Sequence, residues 1–240
     1  MKYLIILLLI LFSLSLDAQQ TEKHELQELY WDQLHPSDPL LNGREYTYYF
    51  KPHSSTPLIP KNPQASASAI IRDRKHQNLS LLYDTHKDLL VYYNPNTLHN
   101  NTITTLIISH NIVKEFDLQL PSGEARFQYL EFPENKGGLL GNGYYEIVRE
   151  GSCKLIIDHR SEMNIKEGMI RFEYSADRYI LSTGKVYKIR GKKSLVKALS
   201  DQATEVEEYL RRRKIHVRSA SIEQLAEVID YYTHLNQSEN

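Results

Sequence analysis

The spacing of apolar residues changes once along this chain, and that change constrains the fold more than any other feature. From Arg44 to about Arg190, apolar and aromatic residues alternate with polar ones or fall in short blocks, the pattern of strands. From Lys193 onward the spacing becomes helical. Leu195, Leu199, Ala203, Val206 and Leu210 share one face, interrupted near Ser200 and Asp201. Ile222, Leu225, Ile229, Tyr232 and Leu235 make a second stripe, opened by Ser221 and Gln224 at capping-box spacing. Apolar helical stripes need a covering surface, and the preceding sheet is the available one. The expected fold is α+β: an antiparallel β-rich body over residues 40–190, a sandwich or a curved sheet, with two or three C-terminal helices over 193–236 packed on it.

Within the β-rich part, strands are expected at Arg44–Phe50, Ala67–Asp73, Leu79–Tyr83, Leu89–Tyr93, Thr102–Ser109, Val113–Leu120 and Arg126–Phe132. Residues 144–158 and 169–190 continue the pattern, the second with a turn at Ser182–Lys185. Four prolines make 51–66 an extended loop, and Arg74–Gln77 reads as a turn. Asp84, His86 and Asp88 crowd into "DTHKD" between two apolar runs. A histidine between two carboxylates could ligate a metal or act as a held base. That needs all three on one side, which holds only if a strand runs straight through them. Asp at a reversal also accepts backbone N–H bonds, so the segment reads as a hairpin turn. Gly138, Gly141 and Gly143 lead into a β-prone run instead of a helix, which makes them a hairpin connection and not a phosphate cradle.

The N-terminus places the protein. Met1 and Lys2 precede the uncharged apolar run Tyr3–Leu16, and Asp17 then returns to polar chain, with Ala18 as the small residue at a cleavage point. This order predicts a signal peptide over 1–18, leaving 19–240 as a single α+β domain. The apolar run is shorter than the roughly 20 residues that span a bilayer, so an integral membrane protein is not expected after cleavage. A short helix is expected at Thr21–Trp31. Cys153 is the only cysteine, so no internal disulfide can form and the core must suffice. Its strand-like surroundings predict a packing role.

The net charge of −1 hides a basic band, with twelve Lys or Arg against four acids between Arg178 and Arg218. Lys188, Arg190, Lys192, Lys193, Arg211, Arg212 and Arg213 are its candidate binding residues, suited to anionic lipid head groups, acidic glycans or an acidic envelope protein. Basic residues near a helix C-terminus also complement its dipole without any ligand. Export removes nucleic acid as a partner. Seventeen tyrosines against six phenylalanines favour strands, and only one of each adjacent pair can face a given ligand. No G-x-S-x-G, H-E-x-x-H, EF-hand or Cys–His signature occurs, so no catalytic residue, metal ligand or cofactor is expected.

The succession "LNGREY", "LSLLYDTHKDLLVYY", "IISHNIVKEFDLQL", "GYYEIVREG" and "GKVYKIRGKKSLVKAL" resembles a group of poorly characterised secreted proteins of Bacteroidota. That resemblance implies an exported envelope protein, periplasmic or outer-membrane associated, and carries no catalytic residue with it. A non-enzymatic scaffold or binding protein is the expected function. The alternative is a carrier holding an apolar or lipid-like ligand between sheet and helices, lined by Leu225, Ile229 and Tyr232. A hydrolase is the third reading.

Overall fold

The computed structural model describes residues 43–49, 53–62, 66–71, 74–99, 102–132 and 139–238. The expected signal peptide and the helix at Thr21–Trp31 lie outside them. The described residues from Arg44 onward fold as one compact unit. Its strands are β1 (Arg44–Glu45), β2 (Leu58–Ile59), β3 (Ser66–Ile71), β4 (Arg74–Asp84), β5 (Leu89–His99), β6 (Thr102–Ile108), β7 (Val113–Leu120), β8 (Gly123–Leu130), β9 (Gly143–Glu150), β10 (Lys154–Lys166), β11 (Met169–Ser182) and β12 (Lys185–Lys188). Helices α1 (Lys192–Ala198), α2 (Ala203–Arg212) and α3 (Ile222–Ser238) follow. The α+β architecture is the one the apolar spacing predicts.

All named strands pair antiparallel, in the order β1-β6-β5-β4-β3-β7-β8-β9-β10-β11-β12, with β2 also on β4. Strand β4 joins two arms. Its first part pairs with β3, and Leu81–Asp84 pairs with β5. The sheet then curls back on itself through residues 53–59. The Ser54 N–H donates to the Ile170 carbonyl of β11 at 3.0 Å, and Leu58 and Ile59 pair with Asp84 and Tyr83 of β4. The curved sheet, not the sandwich, is the form adopted.

On the concave face, Tyr83, Phe116, Phe127 and Tyr144 touch ring to ring, with centroids 5.0–6.1 Å apart. The helices cover Leu155 and Ile180 on the same face with Leu195, Leu199, Val206, Leu210, Leu225, Val228 and Ile229. Each such side chain contributes roughly 1.5–3 kcal/mol on burial. The helical break falls where the spacing predicts it, as a short 3-10 turn at Ser200–Gln202. The capping box also forms: Gln224 N–H donates to Ser221 Oγ at 3.2 Å, and Ser221 N–H to Gln224 Oε1 at 3.0 Å. Cys153 packs into this core from the turn before β10, buried as expected.

Two local expectations fail. Arg74–Gln77 is strand, not turn, because Arg74, Lys75 and His76 pair with Ile71, Ile70 and Ala69 of β3. Ladder hydrogen bonds there override weak strand propensity. Of the expected strand Arg44–Phe50, Arg44 and Glu45 alone among the described residues are strand, paired with Ile107 and Leu106 of β6. Two of its tyrosines, Tyr46 and Tyr49, turn instead toward Asp84, as described next.

Candidate functional site

The Asp84–Asp88 segment is a turn, as its composition predicts, and it is also a wedge. Strands β9 and β10 pair from Glu150 and Lys154 to Glu146 and Ile157 and then part. Into the opening the β4–β5 turn inserts its own polar groups. Tyr144 N–H donates to Asp88 Oδ1 at 3.2 Å, and the Tyr83 hydroxyl donates to the same oxygen at 2.7 Å. On the other side, Ser161 N–H donates to the Thr85 carbonyl at 3.1 Å. His86 Nδ1 lies 2.8 Å from the Ser161 carbonyl, which can only accept, so Nδ1 carries the proton. The Thr85 hydroxyl donates to the Pro57 carbonyl at 2.8 Å and so accepts from Ser161 Oγ at 2.7 Å. The Tyr144 N–H and the Ser161 N–H and carbonyl, which lie where the strands have parted, are thus met by the turn.

The wedge has its own anchor. Asp84 is fully buried and its carboxylate accepts four hydrogen bonds. The Tyr46 and Tyr49 hydroxyls reach Oδ2 at 2.7 and 3.0 Å, and the N–H groups of His86 and Lys87 reach Oδ1 at 2.9 and 3.1 Å. Lys87 Nζ lies over the Tyr46 and Tyr49 rings, 4.9 and 4.3 Å from their centroids. Every acceptor site of Asp84 serves the turn, so this residue is structural.

Beside the wedge lies a half-open cleft of about 560 Å³. Asp88, Asp158, Arg160, Glu162, His86 and Met163 line it, together with Gly141–Tyr145. Burial raises the carboxyls of Asp88 and Asp158 above their ordinary range. Arg160 Nε donates to Asp158 Oδ2 at 2.6 Å, and the Tyr145 hydroxyl, its phenol pushed up to about 12 mainly by burial, donates to the Gly141 carbonyl at 2.6 Å. Gly143 permits the arrangement, since a Cβ there would lie 2.5 Å from Asp88 Oδ2.

A second buried polar group sits behind the cleft. His159, 5% exposed, holds Glu146 Oε2 at 2.6 Å through Nε2 and the Tyr174 hydroxyl at 2.5 Å through Nδ1. Burial and the Glu146 charge raise the Tyr174 phenol, which makes it a poor nucleophile near neutral pH. Cys153 is likewise disarmed, pushed up to about 12 by burial and then by the Asp201 charge. Among the described residues, no group of three or more His, Cys, Asp or Glu could hold a metal ion.

The basic band is partly neutralised in place. Lys188 pairs with Asp177 at 2.6 Å, Lys192 with Glu207 at 2.7 Å and Arg213 with Glu227 at 3.1 Å. Arg190, Lys193, Arg211 and Arg212 are exposed without a carboxylate partner among the described residues. The fold brings Lys192 and Arg211 to one depression, with Glu207 and Glu208 in its wall. Leu225, Ile229 and Tyr232 are at most 3% exposed, packed in the sheet–helix core. A ligand between them would need that core to open.

Of the cleft residues outside the turn, Gly141 and Gly143 read in the sequence only as a hairpin connection, and Asp158, Arg160, Glu162 and Met163 carry no motif. Their signal is the polar run Asp158–Glu162 inside a strand, where alternation alone would call for apolar residues. No helix among the described residues is long and apolar enough to cross a membrane. No family model, curated protein or solved structure matches the chain.

Proposed function

We propose that this chain is an exported binding protein of the cell envelope and that the cleft between β9 and β10 is its ligand site. The observation that carries this reading is the wedge itself, which holds two strands apart over a polar cavity within the common size range of small-molecule sites. Parting strands costs ladder hydrogen bonds, and the turn supplies partners for the Tyr144 N–H and for the Ser161 N–H and carbonyl while leaving the cavity open. A binding role is favoured over hydrolysis because the candidate nucleophiles are engaged. Ser161 Oγ bonds Thr85, and both His159 nitrogens are occupied. The leader-like residues 1–18 support export, and Arg190, Lys193, Arg211 and Arg212, exposed without a carboxylate partner among the described residues, suit an acidic envelope partner.

Native mass spectrometry of protein isolated gently from its own envelope fraction tests both halves. The expected result is a chain lacking residues 1–18 that carries a stoichiometric extra mass released by denaturation. A full-length chain found in the cytoplasmic fraction would overturn export. A bare mass at every concentration would overturn a tightly held ligand.

A further inference from the structure

Resting on the reading of the cleft as a ligand site, we propose that its ligand carries a primary ammonium group, bound by Asp88 and Asp158. The argument is one of donors and acceptors. Asp88 Oδ1 is occupied by Tyr83 and Tyr144, but no described residue bonds Oδ2, which lies against Gly143 at the cavity wall. Asp158 Oδ2 is taken by Arg160 and leaves Oδ1 for a ligand. His86 is held through Nδ1, and no described residue hydrogen-bonds Nε2. Glu162, at the rim, makes no bond among the described residues. Against these acceptors the lining sets the guanidinium of Arg160, whose Nε already serves Asp158; carboxylates outnumber it, so the occupant is expected to supply donors.

Charge decides which donors. Three carboxylates face one guanidinium in the lining, and Asp158 is 5% exposed. A carboxylate or phosphate ligand would add repulsion to groups already short of solvent. A neutral polyol would bond the oxygens but leave the excess negative charge uncompensated. An ammonium supplies three N–H donors and the missing charge, and charge-assisted bonds are roughly twice as strong as neutral ones. Met163, in the wall beside these groups, gives an apolar surface for the carbon chain that bears the amine.

The test is a titration of ¹⁵N-labelled protein with hexylamine, N-acetylhexylamine, hexanoate and methyl glucoside, followed through the amides of Gly143, Tyr144, Arg160 and Ser161. Saturable shifts with hexylamine and none with its N-acetyl form are expected. Asp88→Asn is expected to weaken hexylamine at least tenfold. Glu162→Gln, at an exposed position whose side chain makes no bond among the described residues, should weaken it by a smaller factor and keeps the test alive if the Asp88 variant misfolds. Shifts at the same amides with hexanoate or the glucoside, but not hexylamine, would overturn the ammonium while leaving the cleft as the site. No shift with any probe would overturn the ammonium too. The extra mass on the native protein then decides separately whether the cleft binds anything.

Discussion

Asp88 and Gly143 lie on different hairpins and press together, the carboxylate filling the space a side chain at 143 would need. An alanine Cβ at that position would sit 2.5 Å from Asp88 Oδ2. Gly143→Ala must therefore displace Asp88 and weaken its bonds to Tyr83 and Tyr144. A loss of about 1–3 kcal/mol is expected, typical of overpacking, seen as a lower urea midpoint with an unchanged slope. A midpoint equal to the wild type would show that Asp88 does not depend on the glycine.

Asp84→Ala should cost more. It leaves two tyrosine hydroxyls and two backbone N–H groups of a buried turn without their acceptor. The expected loss is about 3 kcal/mol or more, measured by denaturant unfolding. Asp84→Asn keeps an acceptor oxygen and should recover part of it. If both variants matched the wild type, the wedge would not be anchored by this residue.

Gly151 gives the equivalent test for the helices. A side chain there would collide with Thr233 of α3, whose hydroxyl accepts the Ser152 N–H at 3.2 Å. Gly151→Ala is expected to lower stability by about 1–3 kcal/mol and to speed amide exchange in α3. Unchanged exchange in α3 would contradict its docking on this turn.

The carboxylates predict opposite pH trends. Burial pulls Asp117 upward, but hydrogen bonds from Ser68 and Lys75 and the charge of Arg126 outweigh it and lower its pKa. Its stabilisation is full above the unfolded value and is lost as pH falls through the lower folded one. Asp88 is raised, so its contribution is present below the unfolded value and lost as pH rises through the folded one. Unfolding measured from pH 3 to 8 should show the Asp117→Asn deficit shrinking toward acid. The stability of Asp88→Asn relative to wild type should instead improve toward neutral pH. The reverse slopes would contradict these environments.

The exposed ion pairs should matter little. Lys192 and Glu207 leave 54% and 49% of their side chains exposed. Lys192→Ala is expected to change stability by less than about 1 kcal/mol in a thermal or denaturant melt.

How much of this was legible in the sequence depended on the range of the interaction. The turn at Asp84–Asp88 and the helix start at Ser221 are local, since each is set by residues within a few positions. The wedge is not. Its partners on β9 and β10 lie 56 to 76 residues away, Asp88 to Tyr144 and Thr85 to Ser161, and nothing in either segment names the other. Tyr46 and Tyr49 misled for the same reason, since alternation cannot show a hydroxyl committed to a distant buried carboxylate. The basic band was legible as composition, but pairing with Asp177, Glu207 and Glu227 appears only in three dimensions.

A crystal structure of the protein purified gently from its native source tests the central claim most directly. The account predicts ordered density for a bound molecule between Asp88 and Arg160, beside an intact Asp84–Asp88 wedge. Only water in the cleft, with a bound molecule seated elsewhere, would contradict it.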